Sequence, residues 1–353
     1  MKKILAVVLI AIFIGSAVFV GTACSAQTAV DTTAAAVDTT AAAAETTAAA
    51  EESETSAAVA SEDQLYVEVS ALNSLEYFFD HKEGMKEVGI DLGVKTEFTG
   101  PSDYDMNAVT AAIDQAVAKG AKGIVVVGWE ESLNGAIDKA IESGVPVITV
   151  DADLPTSKRL AFVGTSNFQA GVDLGNWVAD KLGGTGQVAM VGMPTLSNIR
   201  DREDGVKSVF DAKGIEIVQI GDSKTDSAGA AQTAAEILIA NPDLDAIMGM
   251  DSHSGAGIGT AIQEANMAGK ILATGFDRDN SLLEFIADGV VTATVVQRTA
   301  LMPYYGVMLL WQLENSKVAL TTDDAGLNIL NIPNFVDTGI MIVEKDTAAG
   351  FMR

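Results

Sequence analysis

The chain has a single cysteine, only two histidines, and fewer than half as many basic as acidic residues, 22 against 48. Each shortage excludes a class of protein. One cysteine, Cys24, cannot close an internal disulfide, so stability in an oxidising compartment has to come from burial. His81 and His253 lack cysteine partners, which argues against a zinc site, and no cofactor is expected. The formal net charge is −26 at pH 7. A surface of that sign repels phosphate backbones and argues against nucleic-acid partners. Only one apolar run, residues 4–20, has the length of a membrane segment.

What surrounds that run gives it a meaning. Lys2 and Lys3 precede it, and the small residues Gly21-Thr22-Ala23 follow it, directly before Cys24. This is the layout of a secretory signal, so residues 1–23 are expected to be removed and the body exported. A cysteine at the cut site resembles the lipobox of lipoproteins, although Gly21 stands where that motif usually has Leu. The resemblance implies that the Cys24 thiol is acylated and anchors the protein to the membrane. Residues 24–62 are rich in Ala, Thr and Glu. A seven-residue unit occurs at 30–36, again at 37–43, and in degenerate form at 44–50. No copy has two large apolar positions, so a coiled coil is not expected. With so little to bury, the segment reads as a disordered tether, reaching roughly 35 Å as a flexible coil of about 38 residues. Setting aside the two leader lysines and the eight acids of 31–63 leaves 40 acids and 20 bases, so the body stays near −20.

From residue 66 the texture changes. Short β-rich runs occur at 66–70, 123–127, 145–151, 187–191, 215–220, 246–250, 271–276 and 292–297. Amphipathic stretches such as 108–118, 171–182, 228–239 and 257–267 lie between them. Strand runs with few polar residues, separated by helices, indicate parallel sheets covered on both faces. Eight or more such units exceed one open sheet. Residues 158–167 lack a clear helix and read as a crossing. The predicted fold is α/β, two doubly wound parallel-sheet lobes with a cleft between them.

In such sheets ligands meet the carboxyl ends of the strands. The side chains just beyond those ends are Asn73, Ser74, Tyr77 and Phe78; Trp129; Asp151 and Asp153; Asn198 and Arg202; Asp222 and Thr225; Asp251, Ser252 and His253; Asp277 and Arg278; and Gln297. Carboxylates, amides, an arginine and aromatics suit a neutral polyol. Carboxylates accept from adjacent hydroxyls, arginine donates to two oxygens in fixed geometry, and aromatic faces pack on C–H faces of a sugar ring. Each has a plainer role open to it. An Asp after a strand often caps the next helix. Tyr77 and Phe78 suit a core, and Arg202 has Asp201 and Asp204 beside it. The convergence, rather than any one member, carries the functional reading.

Several stretches resemble the periplasmic sugar-binding proteins of ABC importers, of the ribose-binding type. They are Leu72-Asn73-Ser74 with Tyr77-Phe78-Phe79 and Lys82-Glu83-Gly84, residues 145–151, residues 200–205, Gly275-Phe276-Asp277, and Thr294-Val295-Val296-Gln297. The likeness runs from about residue 66 to 345. It implies a type I periplasmic-binding fold with a three-crossing hinge. One lobe would be 63–165 plus 298–323 and the other 166–297 plus 325–353, with crossings near 165, 297 and 324. It implies that Tyr77 and Phe78 stack on the sugar, Asp151 accepts from hydroxyls, Arg202 meets ring and hydroxyl oxygens, and Asp277 and Gln297 complete the contacts. Asn73, Trp129, Asp153, Asn198, Thr225 and Asp251 complete the expected ligand set. The chain departs from the ribose pattern at Asp151-Ala152-Asp153, where Asp-Arg is usual, at Thr225, where a third aromatic is usual, and at Asp251, which replaces an Asn.

The implied protein is no enzyme. It acts as a monomer outside the cytoplasm, anchored at Cys24, and passes a monosaccharide or polyol to the permease subunits of an ABC transporter. A sensory protein of the same fold, presenting a sugar or autoinducer to a membrane kinase or chemoreceptor, is the alternative. Two lookalikes fail. Gly255-Ala256-Gly257-Ile258-Gly259 is not a dinucleotide fingerprint, and Asp251 upstream of it would repel a pyrophosphate. Ser252-His253-Ser254 has no nucleophile elbow around it.

Overall fold

The computed structural model describes residues 63–352 apart from 225 and 317. The expected signal peptide, Cys24, the tether and Thr225 therefore lie outside the described residues. The first lobe begins β1 (Leu65–Val69), α1 (Phe79–Leu92), β2 (Lys95–Thr99), α2 (Met106–Ala118) and β3 (Gly123–Val127). It continues α3 (Asn134–Glu142), β4 (Val147–Val150) and β5 (Ala161–Gly164). The chain then crosses to the second lobe. This begins α4 (Asn167–Lys181), β6 (Gln187–Gly192), α5 (Ser197–Lys213), β7 (Glu216–Asp222) and α6 (Ser227–Ala240). It continues β8 (Ala246–Gly249), α7 (Ser254–Glu264), β9 (Leu272–Phe276), α8 (Asn280–Ala287) and β10 (Ala293–Gln297). After a second crossing, α9 (Leu301–Asn315) packs on α1, β3, β4 and β5, and β11 (Phe335–Asp337) follows. After the third come β12 (Ile340–Glu344) and α10 (Lys345–Ala348).

The two sheets have one plan. The strand orders are β11-β5-β4-β3-β1-β2 and β12-β10-β9-β8-β6-β7. All pairs are parallel except β10 with β12. Central strands such as β3, Gly-Ile-Val-Val-Val, are buried along their whole length, as expected where helices cover both faces. Branched side chains suit that pleated interior. Asp105 caps α2 by accepting from the backbone N–H groups of Asn107 and Ala108, and Asp226 caps α6 through Gly229.

One boundary differs from expectation. The likeness places residues 325–353 in the second lobe, with a crossing near 324. Instead β11 adds to β5 of the first lobe, Phe335 opposite Phe162, and the chain crosses only between Asp337 and Ile340. A three-residue edge strand carries no periodic pattern that would reveal it. Residues 158–167 likewise contain a strand, β5, before the first crossing.

Candidate ligand-binding site

The carboxyl ends of the strands in both lobes line a cavity of about 270 Å³. The first lobe gives it an apolar, aromatic wall of Leu72, Leu75, Tyr77, Tyr104 and Trp129. Two of these rings are fixed from behind by one carboxylate. The Tyr77 hydroxyl donates to Asp151 Oδ1 at 2.6 Å, and the Trp129 indole N–H donates to Asp151 Oδ2 at 2.6 Å. Burial, reinforced by the charges of Asp151 and Asp277, holds the Tyr77 phenol well above its ordinary pKa, so it remains a donor. Tyr104 stacks on Trp129 with centroids 5.9 Å apart and planes 25° apart, and its hydroxyl donates to Glu130.

The second lobe supplies the polar wall. Arg202, from α5, is buried. Its Nε donates to Asn167 Oδ1 at 2.8 Å, its Nη1 donates to the Met250 carbonyl at 2.9 Å, and its guanidinium lies 4.1 Å from the centroid of the Phe276 ring. Two glycines make this reach possible. A Cβ on Gly171 would stand 2.0 Å from the Arg202 carbonyl oxygen, and one on Gly205 would stand 2.1 Å from that of Phe168. Helices α4 and α5 therefore meet backbone to backbone, and Asn167 falls within reach of the guanidinium.

Asp277 Oδ1 accepts from Gln297 Nε2 at 2.8 Å, and its Oδ2 accepts from the Ser252 hydroxyl. Burial raises its pKa; the Arg202 charge and the two donors pull against that. Asp151 and Asp277 occupy matching places, each directly after the third strand from the end of its sheet. Both are left-handed, with φ of 66° and 68°, a conformation that Asp tolerates better than most residues but which still stores strain. The two lobes thus present a carboxylate at the same sheet position, one buttressing aromatics and one joined to Gln297.

Two buried acceptors in the lining, Asn198 Oδ1 and Gln297 Oε1, have no hydrogen-bonding partner among the described residues. A buried amide oxygen left so costs about 1–3 kcal/mol. Together with the donors of Arg202, they make a wall that calls for a ligand both donating and accepting.

Of the residues expected from sequence, the cavity gathers Tyr77, Trp129, Asn198, Arg202, Asp251, Asp277 and Gln297. The remaining described ones stand elsewhere. Phe78 is fully buried, edge-on to Tyr77 and His81, so it is core and not a stacking face. Asn73 donates to the Gly100 carbonyl at 2.7 Å and ties down the loop after β2. Asp151 serves the aromatics and does not line the cavity. Asp153 is held by Arg159, six residues on, whose Nε donates to its Oδ1 at 2.6 Å and whose charge neutralises it. Asp251 lines the cavity, yet its Oδ1 accepts from the backbone N–H of His253 and Ser254 and its Oδ2 from Ser223. It shapes the start of α7.

Sequence reasoning missed Asp103, Tyr104, Met193 and Leu196, all in the lining. Asp103 and Tyr104 follow β2, a polar edge strand, Lys-Thr-Glu-Phe-Thr, which left no run to mark the loop beyond it. His253 also lines the cavity, and the neighbouring Ser252 hydroxyl donates to Asp277.

Two doubly wound lobes, linked by three crossings and sharing a cavity at their carboxyl edges, define a bilobal binding protein of the type I periplasmic fold. Residues 67–317 match the family model described as a periplasmic binding protein domain, and the chain belongs to that family. It is 27% identical to the ribose import binding protein RbsB of Bacillus subtilis over 237 residues, 66% of this chain and 76% of that one. It is also 27% identical to the D-allose-binding periplasmic protein of Escherichia coli, over 77% of this chain and 90% of that one. A sugar-binding protein of a Bacillus halodurans ABC transporter superposes with a TM-score of 0.77 at 28% identity, covering 82% of this chain and all of that one. The arabinose-binding protein AraP of Geobacillus stearothermophilus gives 0.74 at 28% identity with the same coverage. Each of these relatives is described as a sugar-binding protein.

Proposed function

We propose that the protein is the extracytoplasmic substrate-binding subunit of a sugar ABC importer, tethered to the membrane through Cys24. It takes a monosaccharide or related polyol into the cavity between its lobes and delivers it to a permease. The observation that carries this is the pairing of an aromatic wall with buried acceptors at Asn198 and Gln297, unpartnered among the described residues, and a held guanidinium at Arg202. A sugar ring has the matching surfaces: C–H faces for Tyr77, Tyr104 and Trp129, and hydroxyls that donate and accept. Closure follows from the same geometry, because contacts come from both lobes and only a closed form makes all of them. Binding then shifts the hinge equilibrium by the difference in affinity between closed and open forms. A surface near −20 in net charge keeps the subunit soluble.

The test is calorimetry of the full chain against D-ribose, D-allose, L-arabinose, D-xylose, D-glucose, D-galactose and the corresponding polyols. One or more should bind and be recovered unchanged after long incubation. No binding across the panel refutes the sugar reading, and chemical turnover refutes the binding-protein reading. A sensory role is the second reading, favoured by one solved neighbour, a XylFII-LytSN complex that superposes with a TM-score of 0.69 at 25% identity. A permease that co-purifies with the closed form decides for transport.

A further inference from the structure

A second cavity, of about 920 Å³, adjoins the first and shares Trp129 and Asn198 with it. It opens on the flank of the first crossing. Its walls come from both lobes, with Phe162 and Phe335 on one side and Phe168 on the other. Phe162 and Phe335 stack face to face, centroids 5.6 Å apart and planes 11° apart. Phe168 and Phe335 are 49% and 44% exposed. Large aromatic rings left open to water are costly and mark contact surfaces when they gather in one concavity. Here they line a cavity that has Trp129 and Asn198 in common with the sugar-sized one. Thr165 and Asn198 belong to the same lining, and the Thr165 hydroxyl and the Asn198 amide oxygen are each buried and without a partner among the described residues.

We propose that this outer cavity is a second saccharide subsite, so that the preferred ligand is a disaccharide. One ring would occupy the inner cavity, the glycosidic bond would pass Trp129 and Asn198, and the second ring would lie among the three phenylalanines. Glu130, Glu131 and Asp201 on the same wall exclude an anionic second ring and admit a neutral or amino-bearing one. The inference rests on the sugar reading above and extends it.

Calorimetry on the full chain separates the two. The monosaccharide that binds is compared with its own α- and β-linked homodisaccharides. At least one disaccharide should bind about tenfold more tightly, the scale of a stacked ring. Phe168→Ala and Phe335→Ala should each remove most of that gain and leave the monosaccharide affinity within about twofold. Phe168 stands on the exposed first turn of α4, so its variant reports even if Phe335→Ala fails to fold. If the monosaccharide binds and no disaccharide binds more tightly, the subsite is refuted and the function stands. Equal losses for both ligands in Phe168→Ala also refute it. If no sugar binds at all, both ideas fall together.

Discussion

Arg202→Ala separates a ligand contact from a structural strut. The guanidinium makes two charge-assisted hydrogen bonds, to Asn167 and to the Met250 carbonyl, and packs on Phe276. Bonds of that kind contribute about 1.5–3 kcal/mol each, and the ring contact about 0.5–2 kcal/mol. Against this stands the desolvation of a cation that is only 2% exposed, which truncation recovers. Water entering from the cleft also solvates the freed oxygens in part. The balance is a loss of about 3 kcal/mol from the unliganded protein, or roughly 6–12 °C in melting temperature for a body of this size. Sugar binding should vanish as well, because the wall loses its charged donor and Asp277 loses the cation that counters its burial. Arg202→Met keeps the stem against Phe276 and should recover part of the stability but none of the affinity. The assays are chemical denaturation without ligand and calorimetry with it. An unliganded melting temperature unchanged within about 1 °C would show that the bonds to Asn167 and Met250 carry no weight, and the reasoning would fail.

Three further perturbations follow from the same contacts. Asp277 has a raised pKa, so its contribution to stability is whole below the ordinary aspartate value and fades as pH rises through the folded one. Asp277→Asn, which also tolerates positive φ, removes that titration, so the melting temperature of the unliganded variant relative to the parent should rise with pH between about pH 3.5 and 7; a difference constant across that range would remove Asp277 from the account. Asp151→Asn leaves one acceptor for two donors, Tyr77 and Trp129. Trp fluorescence should shift and sugar affinity fall by about tenfold, whereas an unaltered spectrum with full affinity would show that the carboxylate does not position the aromatics. Arg278 of the second lobe binds Asp80 of the first, beside the second crossing, where Thr299 also donates to Asp80. Being partly exposed, the pair is worth about 1 kcal/mol or less. Arg278→Ala should broaden the interlobe angle distribution in small-angle scattering and change affinity by less than about tenfold; identical scattering curves would deny it any part in the hinge.

Much of the fold was legible because its signal is local. Runs such as 123–127 and 246–250 are β-branched or apolar throughout, as strands buried on both faces must be, and the structure has strands at both places. β2 is polar and β11 is three residues long, so neither gave such a signal; β5, Ala-Phe-Val-Gly, and β12, Ile-Met-Ile-Val-Glu, are apolar but were missed as well. With β11 went the true position of the last crossing. The site was half legible. Strand ends named Arg202, Asp277, Gln297 and Trp129, but residue type could not tell a side chain that faces the cavity from one that supports it. Asp151 and Arg202 both read as ligand contacts; one stands wholly behind Tyr77 and Trp129, and the other is also a strut.

The sequence by itself determined the class of fold, the edge where ligands meet it and the kinds of group gathered there, because hydrophobic period and strand ends are properties of neighbouring residues. Only the tertiary structure decided which of those groups face the cavity. Asp153 is neutralised by Arg159, Asp251 is spent on the start of α7, and Asn198 and Gln297 keep acceptors without a partner among the described residues. Whether a polar atom is satisfied depends on how the fold orients its partners, whether they stand six residues away, as Arg159 does from Asp153, or 28, as Ser223 does from Asp251, and burial makes that pairing matter energetically.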